Sequence, residues 1–196
     1  IQTLLSGSTI SNQGTYNNES AVVASLGVDK LKEENSNNMT FGLAFKPMKG
    51  LYTSFDYYNI SVDDRIVYSS SIDSSGTAAN PTATLFQALS EADITSLKFF
   101  TNAVDTKTSG MDIVVSYSGM NLGSGTLDVN LAANFNKTEI VGAIATPAPI
   151  ADQGKDLFDR KEQSRIETAR PADKMTIGLT YNMGGLSIAL NNTRFG

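Results

Sequence analysis

Thr126-Leu127-Asp128-Val129-Asn130-Leu131-Ala132-Ala133-Asn134-Phe135-Asn136 alternates without a break. Successive side chains of an extended chain point to opposite faces. Leu127, Val129, Leu131, Ala133 and Phe135 therefore make one apolar face. Asp128, Asn130, Ala132 and Asn134 make a face of small and polar groups. The period is two rather than the 3.6 of a helix, so the segment reads as a strand with different surroundings on its two sides.

The same rhythm recurs on either side. Ser109–Ser118 sets Met111, Ile113, Val115 and Tyr117 against Asp112, Val114 and Ser116, and the glycine-rich turn Gly119–Gly125 joins it to the first segment. Met39, Phe41, Leu43 and Phe45 oppose Thr40, Gly42, Ala44 and Lys46. After Pro47–Gly50, Leu51–Val62 sets Leu51, Phe55 and Tyr57 against Ser54, Asp56 and Tyr58. Lys174–Asn182 and Leu186–Arg194 are joined by Met183-Gly184-Gly185. Residues 1–37 are rich in Ser, Asn, Gly and Thr and read as an extended loop with at most one strand. Two long connections remain, about Asp63–Thr106 and Lys137–Asp173. In the first, Asn80-Pro81 followed by Leu85, Phe86 and Leu89 predicts a short helix over 81–91.

Short and long connections alternate throughout. Antiparallel strands put successive connections at opposite edges of a sheet, so all short turns share one edge and all long loops the other. Transmembrane β-barrels have this asymmetry, with short periplasmic turns and long external loops. Segments of about ten residues also suit a tilted crossing of a bilayer. Tyr52, Tyr57, Tyr58, Tyr117, Tyr181, Phe45 and Phe135 fall near segment ends, where aromatic girdles sit. A soluble β-rich binding module shares the alternation, but its strands are usually about 5–6 residues long. Barrels of this kind begin at about eight strands, so six strands imply a longer parent. The absence of an initial methionine at Ile1 and the stop at Gly196 fit the same expectation of a fragment.

Composition narrows function more than fold. Mean hydropathy is −0.14, which a wall alternating apolar and polar positions also gives. No run approaches the roughly 18–20 apolar residues of a membrane helix; Ile140–Ile150 comes nearest and is broken by Pro147 and Pro149. The net charge is −5, and no basic stripe suggests a nucleic-acid partner. There is no cysteine and no histidine. Disulfides and thiol chemistry are excluded, as are the commonest general base and the commonest metal ligand. No paired-carboxylate constellation is evident, so no enzyme, cofactor or metal site is expected.

Several phrases, in order, resemble the C-terminal part of the β-barrel in TonB-dependent outer-membrane receptors, in a Bacteroidetes-like subgroup. Leu31-Lys32-Glu33-Glu34-Asn35-Ser36 resembles the family's Leu-Lys-Pro-Glu-x-Ser loop, with Glu33 at the usual proline. Phe55–Ile66 resembles its DYY-x-I-x-I-x-DRI strand. Phe99–Asp112 resembles its FFTNA-x-DT-x-T-x-G-x-D segment. Asn134–Thr138 and Asn192–Gly196 fit the same template. The resemblance covers residues 26–196 and implies an all-β, antiparallel, up-and-down wall belonging to a 22-stranded barrel, with a short helix in a long external loop. It implies a Gram-negative outer membrane, and as partners the surrounding lipid, a plug domain and further strands of the parent chain. It also implies the TonB complex and a scarce nutrient, whether siderophore, glycan or peptide. The plug, the TonB box and a terminal strand ending in an aromatic residue are not found in this stretch.

Three local patterns carry a bland reading beside a functional one. Asp63-Asp64-Arg65 is a strand-to-loop transition rather than a carboxylate–arginine site. Asp152, Asp156 and Asp159 lack the spacing and glycine of a calcium loop. Asp159–Glu162 with Arg165 and Glu167 reads as solvent-facing ion pairs of a loop. The inward wall (Gly42, Ala44, Ser54, Ser116, Asn130, Asn134, Thr176, Gly178, Thr180, Ser187) carries few charges, chiefly Asp56, Asp112 and Asp128. It suits a plug and a polar ligand better than an anionic chelate. Ligand contact from this stretch is expected from the long connections, through Tyr68, Phe86, Phe99 or Phe100, or the charges of 156–170.

Overall fold

The computed structural model describes residues 2–6, 9–73 and 83–196. The chain forms two units: residues 1–36, 62–106 and 140–165, and residues 37–61, 107–139 and 166–196.

The main sheet has six strands: β3 (Asn35–Met48), β4 (Leu51–Tyr68), β7 (Phe100–Leu122), β8 (Gly125–Val141), β9 (Asp173–Met183) and β10 (Leu186–Phe195). They neighbour one another in chain order, β10-β9-β8-β7-β4-β3, which is the expected up-and-down arrangement. Leu127, Val129 and Leu131 of β8 pair with Tyr181, Leu179 and Ile177 of β9. Tyr181, Leu179 and Ile177 pair in turn with Ile188, Leu190 and Asn192 of β10. The apolar face read from alternation therefore runs across β8 and β9 and onto β10 at Ile188 and Leu190, with Asn192 ending the third rung in a polar group.

Four strands overrun the expected segments. β4 runs to Tyr68, β7 begins at Phe100, β8 reaches Val141 and β3 begins at Asn35. The two long connections shrink to 69–99 and 142–172 accordingly. Asp63-Asp64-Arg65 lies inside β4 and is not its exit, and Asp64 adopts a left-handed backbone, φ 55°.

The segment 1–37 is more ordered than a loop. β1 (Gln2–Ser6) and β2 (Thr9–Thr15) form an antiparallel hairpin, and α1 (Ala21–Ser25) follows, capped by the Ser20 side chain. β2 pairs in parallel with β6 (Ser96–Lys98), which pairs with β5 (Ile72–Asp73). This gives a second sheet of order β1-β2-β6-β5. The predicted helix appears as α2 (Thr84–Glu91), burying Leu85, Ala88 and Leu89 at helical spacing. Its expected start at Asn80-Pro81 lies outside the described residues. The later connection holds α3 (Ala148–Ala151) and α4 (Arg160–Glu167). Asp159 caps α4 by accepting a hydrogen bond from the Glu162 N–H at 2.9 Å.

The units differ in how they bury apolar surface. Val23, Leu26, Ile72, Leu85, Leu89, Leu97, Phe99, Ile150 and Leu157 form one packed core in the first. In the second, no large apolar side chain among the described residues is buried. Phe41 is 63% exposed and Leu190 63%. The second unit is a single-layer sheet with nothing of its own on its apolar face.

Candidate functional site

Residues 28–34 have no regular structure, so their backbone polar groups need side-chain partners. Asn18, nearly fully buried, supplies three bonds. Its amide donates to the carbonyls of Asp29 (3.0 Å) and Phe100 (3.1 Å), and its oxygen accepts from Leu31 N–H (3.0 Å). Asn102 supplies three more, accepting from Lys32 N–H (2.9 Å) and donating to the carbonyls of Lys32 (3.0 Å) and Asp64 (2.5 Å). Glu34 accepts from Ile66 N–H at 2.6 Å. The Asp64 N–H is bound by Asp105 at 2.7 Å, and Arg65 donates to Thr106 at 3.0 Å. Lys32 Nζ lies 2.6 Å from Asp64 Oδ1. Its hydrogen bond with Asp64 is the chief reason its pKa stands above the ordinary lysine value; desolvation acts the other way, and attraction from Asp64, Asp105 and Asp29 adds to the rise. The sequence phrases around Lys32, Asp64 and Asn102 thus form one polar clasp, which pins a strap to β4 and β7.

Beside the strap is a cavity of about 500 Å³, within the usual range for small-ligand pockets. Val28, Asp29, Lys30 and Lys32 line one side, Thr101 and Asn102 another, and Thr146, Pro147 and Leu157 a third. Its polar walls can bond hydroxyl, amide or charged groups, but it has no aromatic surface.

The aromatic surface is on neighbouring strand ends. Tyr68, the last residue of β4, and Phe100, the first of β7, pack with ring centroids 5.1 Å apart and ring planes tilted by 46°. The Tyr68 hydroxyl is 2.8 Å from Thr15 Oγ1, and Lys98 Nζ lies 5.0 Å from the Tyr68 ring centroid. Lys98 is 3.7 Å from Glu162, which Arg165 also binds at 2.7 Å. Glu162 is therefore a buried anchor rather than a solvent-facing ion pair, because α4 turns it inward toward Lys98. Phe100 is 50% exposed, whereas Phe99 is fully buried. Consecutive residues of an extended chain face opposite ways, so one ring joins the core and the other does not.

The two faces of the main sheet are chemically distinct. On the inward face Asn134 donates to Asp112 at 2.6 Å and to the Tyr58 hydroxyl at 3.4 Å, and Asn136 donates to Asn134 at 3.0 Å. Tyr58 lies over Gly110, where a Cβ would collide with the ring. Tyr58 is thereby an inward residue and not part of an outer girdle, and Tyr52 shares its parity on β4. On the outward face Tyr57, Met111 and Phe135 cluster near Ala172. Toward the short turns, the Tyr181 hydroxyl donates to the Leu122 carbonyl at 3.2 Å and Tyr117 lies against Gly50. Two aromatic levels thus bracket the apolar rungs between Leu127 and Phe135, as girdles bracket a membrane band. No described helix is long and apolar enough to cross a membrane, which leaves strands unaffected.

A family model described as TonB dependent receptor-like, beta-barrel matches residues 4–196. The chain belongs to the TonB-dependent receptor β-barrel family. The outer membrane transporter YddB from Escherichia coli, a solved structure, is similar in fold, with TM-score 0.51 and 14% identity over 83% of this chain. This chain spans 20% of that transporter's length. Compared by sequence with curated proteins, the chain has no significant match.

Family membership makes the single-layer sheet part of a receptor-type β-barrel. Of the four expected ligand contacts, the structure brings Tyr68 and Phe100 together, leaves Phe86 half-buried on α2 and closes Phe99 into the core. Sequence reasoning missed the strap, the cavity and the Lys98–Glu162 pair. The Asp159-x-x-Glu162 spacing was the available signal for α4. Nothing local marks Lys98 as its partner.

Proposed function

We propose that this chain forms part of the wall of a larger, 22-stranded receptor barrel in the outer membrane of a Gram-negative bacterium. The receptor imports a scarce nutrient under TonB coupling, through a plug carried elsewhere in the parent protein. One observation carries this reading: a six-stranded sheet with an uncovered apolar face and free edges at β3 and β10. Each large side chain left in water would forgo most of roughly 1.5–3 kcal/mol. Lipid on the face and further strands on the edges remove that cost.

The inward wall of amides, hydroxyls and small residues supports a polar cargo. Tyr68 and Phe100 offer a stacking surface to it, and Phe86 and the charges of 156–170 are secondary contacts. A glycan, a peptide or a siderophore without net negative charge fits this chemistry. The test is the intact mass of the native polypeptide from a detergent-extracted membrane fraction. A mass several times 20.9 kDa supports the receptor. A mass near that value in a soluble fraction overturns it and leaves a soluble binding module. In the complete receptor, Phe100→Ala with Tyr68→Ala should weaken nutrient binding about tenfold, near 1.4 kcal/mol, within the range for aromatic contacts. Unchanged binding would remove these residues from the ligand site.

A further inference from the structure

The cavity beside the strap is separate from the Tyr68–Phe100 pair. β7 turns Phe100 and Thr101 to opposite sides, so the ring is half-exposed while Thr101, only 6% exposed, lines the cavity. The Thr101 hydroxyl makes no hydrogen bond with any described residue. Among the described residues no polar side-chain atom is both sealed from solvent and unpartnered, so this hydroxyl keeps an opening, and the space Thr101 lines is the cavity. On another wall Thr146 Oγ1 accepts from the Leu157 N–H at 3.1 Å, which leaves its own O–H to donate.

The charges of the lining do not balance. Each of its lysines has a carboxylate of its own: Lys32 Nζ lies 2.6 Å from Asp64 and Lys30 Nζ 3.7 Å from Glu19. The exposed Asp29 carboxylate forms no ion pair or hydrogen bond among the described residues and reaches Lys32 only by longer-range attraction. The unmatched charge is therefore one carboxylate. An anionic ligand would have to draw a lysine from its partner, whereas an ammonium group need only meet Asp29. Val28, Pro147 and Leu157 add an apolar patch. The hydroxyls of a sugar could bond Asp29 and the two threonines, but nothing in the lining offers a flat face to its ring. A peptide's amino end matches every part: an ammonium for Asp29, a peptide group that donates and accepts for the two hydroxyls, and an apolar first side chain for the patch.

We propose that this cavity binds the free amino terminus of a short peptide with an apolar first residue, its ammonium group on Asp29 and its first peptide group between Thr101 and Thr146. The proposal rests on the nutrient-receptor reading above and narrows its polar cargo to peptides.

The test uses the complete receptor in detergent, titrated by calorimetry with valyl-alanine amide, with its N-acetyl derivative and with maltose. The free amine should bind at one site about fivefold more tightly than the acetylated peptide, the upper end for an exposed ion pair. Asp29→Asn should abolish that preference, and because the side chain is exposed and unpaired the fold should be unaffected. Thr101→Val should weaken both peptides several-fold and leave the preference for the amine in place. If Thr101→Val does not fold, Asp29→Asn decides by itself. Equal binding of the two peptides, binding of neither, an undiminished preference in Asp29→Asn, or tighter binding of maltose overturns the peptide site while the receptor reading stands. A parent protein that remains soluble without detergent overturns the receptor reading itself.

Discussion

Leu131→Arg separates the two faces of the main sheet more sharply than any other single change. Leu131 lies on β8 midway between Leu127, which pairs with Tyr181, and Phe135, which pairs with Asp173. Four residues separate it from each aromatic level, about 14 Å along a strand at ~3.4 Å per residue. With the usual tilt near 40°, that is about 10 Å of depth, more than an arginine spans by snorkelling. Its rung offers no charge: Ile177 is opposite and Asn192 beyond. The cost should be about 2–4 kcal/mol, and the same for Ile177→Arg. Both together should cost more than the sum, because like charges directly opposite repel. Asn130→Arg, one residue away, faces inward opposite Gly178, with Asn191 beyond and Asp128 on the same face. It should cost under about 1 kcal/mol. The assay is urea unfolding of the complete receptor folded into lipid vesicles, followed by circular dichroism. Equal losses at positions 130, 131 and 177 would refute the assignment of faces.

Asn102→Ala removes three hydrogen bonds from the clasp, about 2–3 kcal/mol at roughly 1 kcal/mol each. Hydrogen exchange at Leu31 and Lys32 should accelerate accordingly, while amides of 127–135 hold; unaltered exchange in the strap would show that the clasp contributes nothing. The raised Lys32 pKa makes its ion pair with Asp64 fully present below the unfolded lysine value and lost only as pH rises through the higher folded value. The Lys32 side-chain carbon resonance should titrate with a midpoint above 10.5, and Asp64→Asn should lower it; a midpoint below 10.5 in the unaltered protein contradicts the pairing. Gly110→Ala should cost about 1–3 kcal/mol, since its Cβ meets the Tyr58 ring and the Phe135 carbonyl oxygen at 2.7 Å. Gly178→Ala, whose one close contact is the movable end of Asn191 at 2.9 Å, should cost less in the same unfolding assay; the reverse order would show that Tyr58 does not hold that position.

The sheet was legible because lipid or solvent on one side and polar groups on the other impose a period of two on every strand. Where the period broke, the reading stopped too early. Asp63, Asp64 and Arg65 look like a loop because three charged residues cannot alternate. In the fold the polar groups of Asp64 and Arg65 meet Lys32, Asn102, Asp105 and Thr106, so the strand continues through them. β2 escaped for a related reason: Thr9–Thr15 is mostly Ser, Asn, Gln and Gly, and its pairing with β6 lies more than eighty residues along the chain. α4 has almost no apolar stripe, and only its cap spacing signals a helix.

The adjacent pair Phe99-Phe100 shows how strand geometry could prepare a ligand contact. Phe99 is locked into a core with Leu97, Ile72 and Leu89, and its N–H donates to the buried Ser69 hydroxyl at 3.1 Å. Ser69 N–H donates back to the Phe99 carbonyl at 2.8 Å. These bonds tie the end of β4 to the start of β7 one residue away from the Tyr68–Phe100 stack. The stack is therefore positioned by strand pairing and a buried ring, not by a loop tip. Groups held on regular elements lose less freedom on binding. Ser69→Ala, which removes the hydroxyl but keeps the core, should leave the fold intact and loosen the stack. The expected signature in the complete receptor is a several-fold weaker nutrient affinity beside a stability loss of about 1–3 kcal/mol from the unpartnered Phe99 N–H. A large loss of stability with unchanged affinity would show instead that Ser69 serves the core alone.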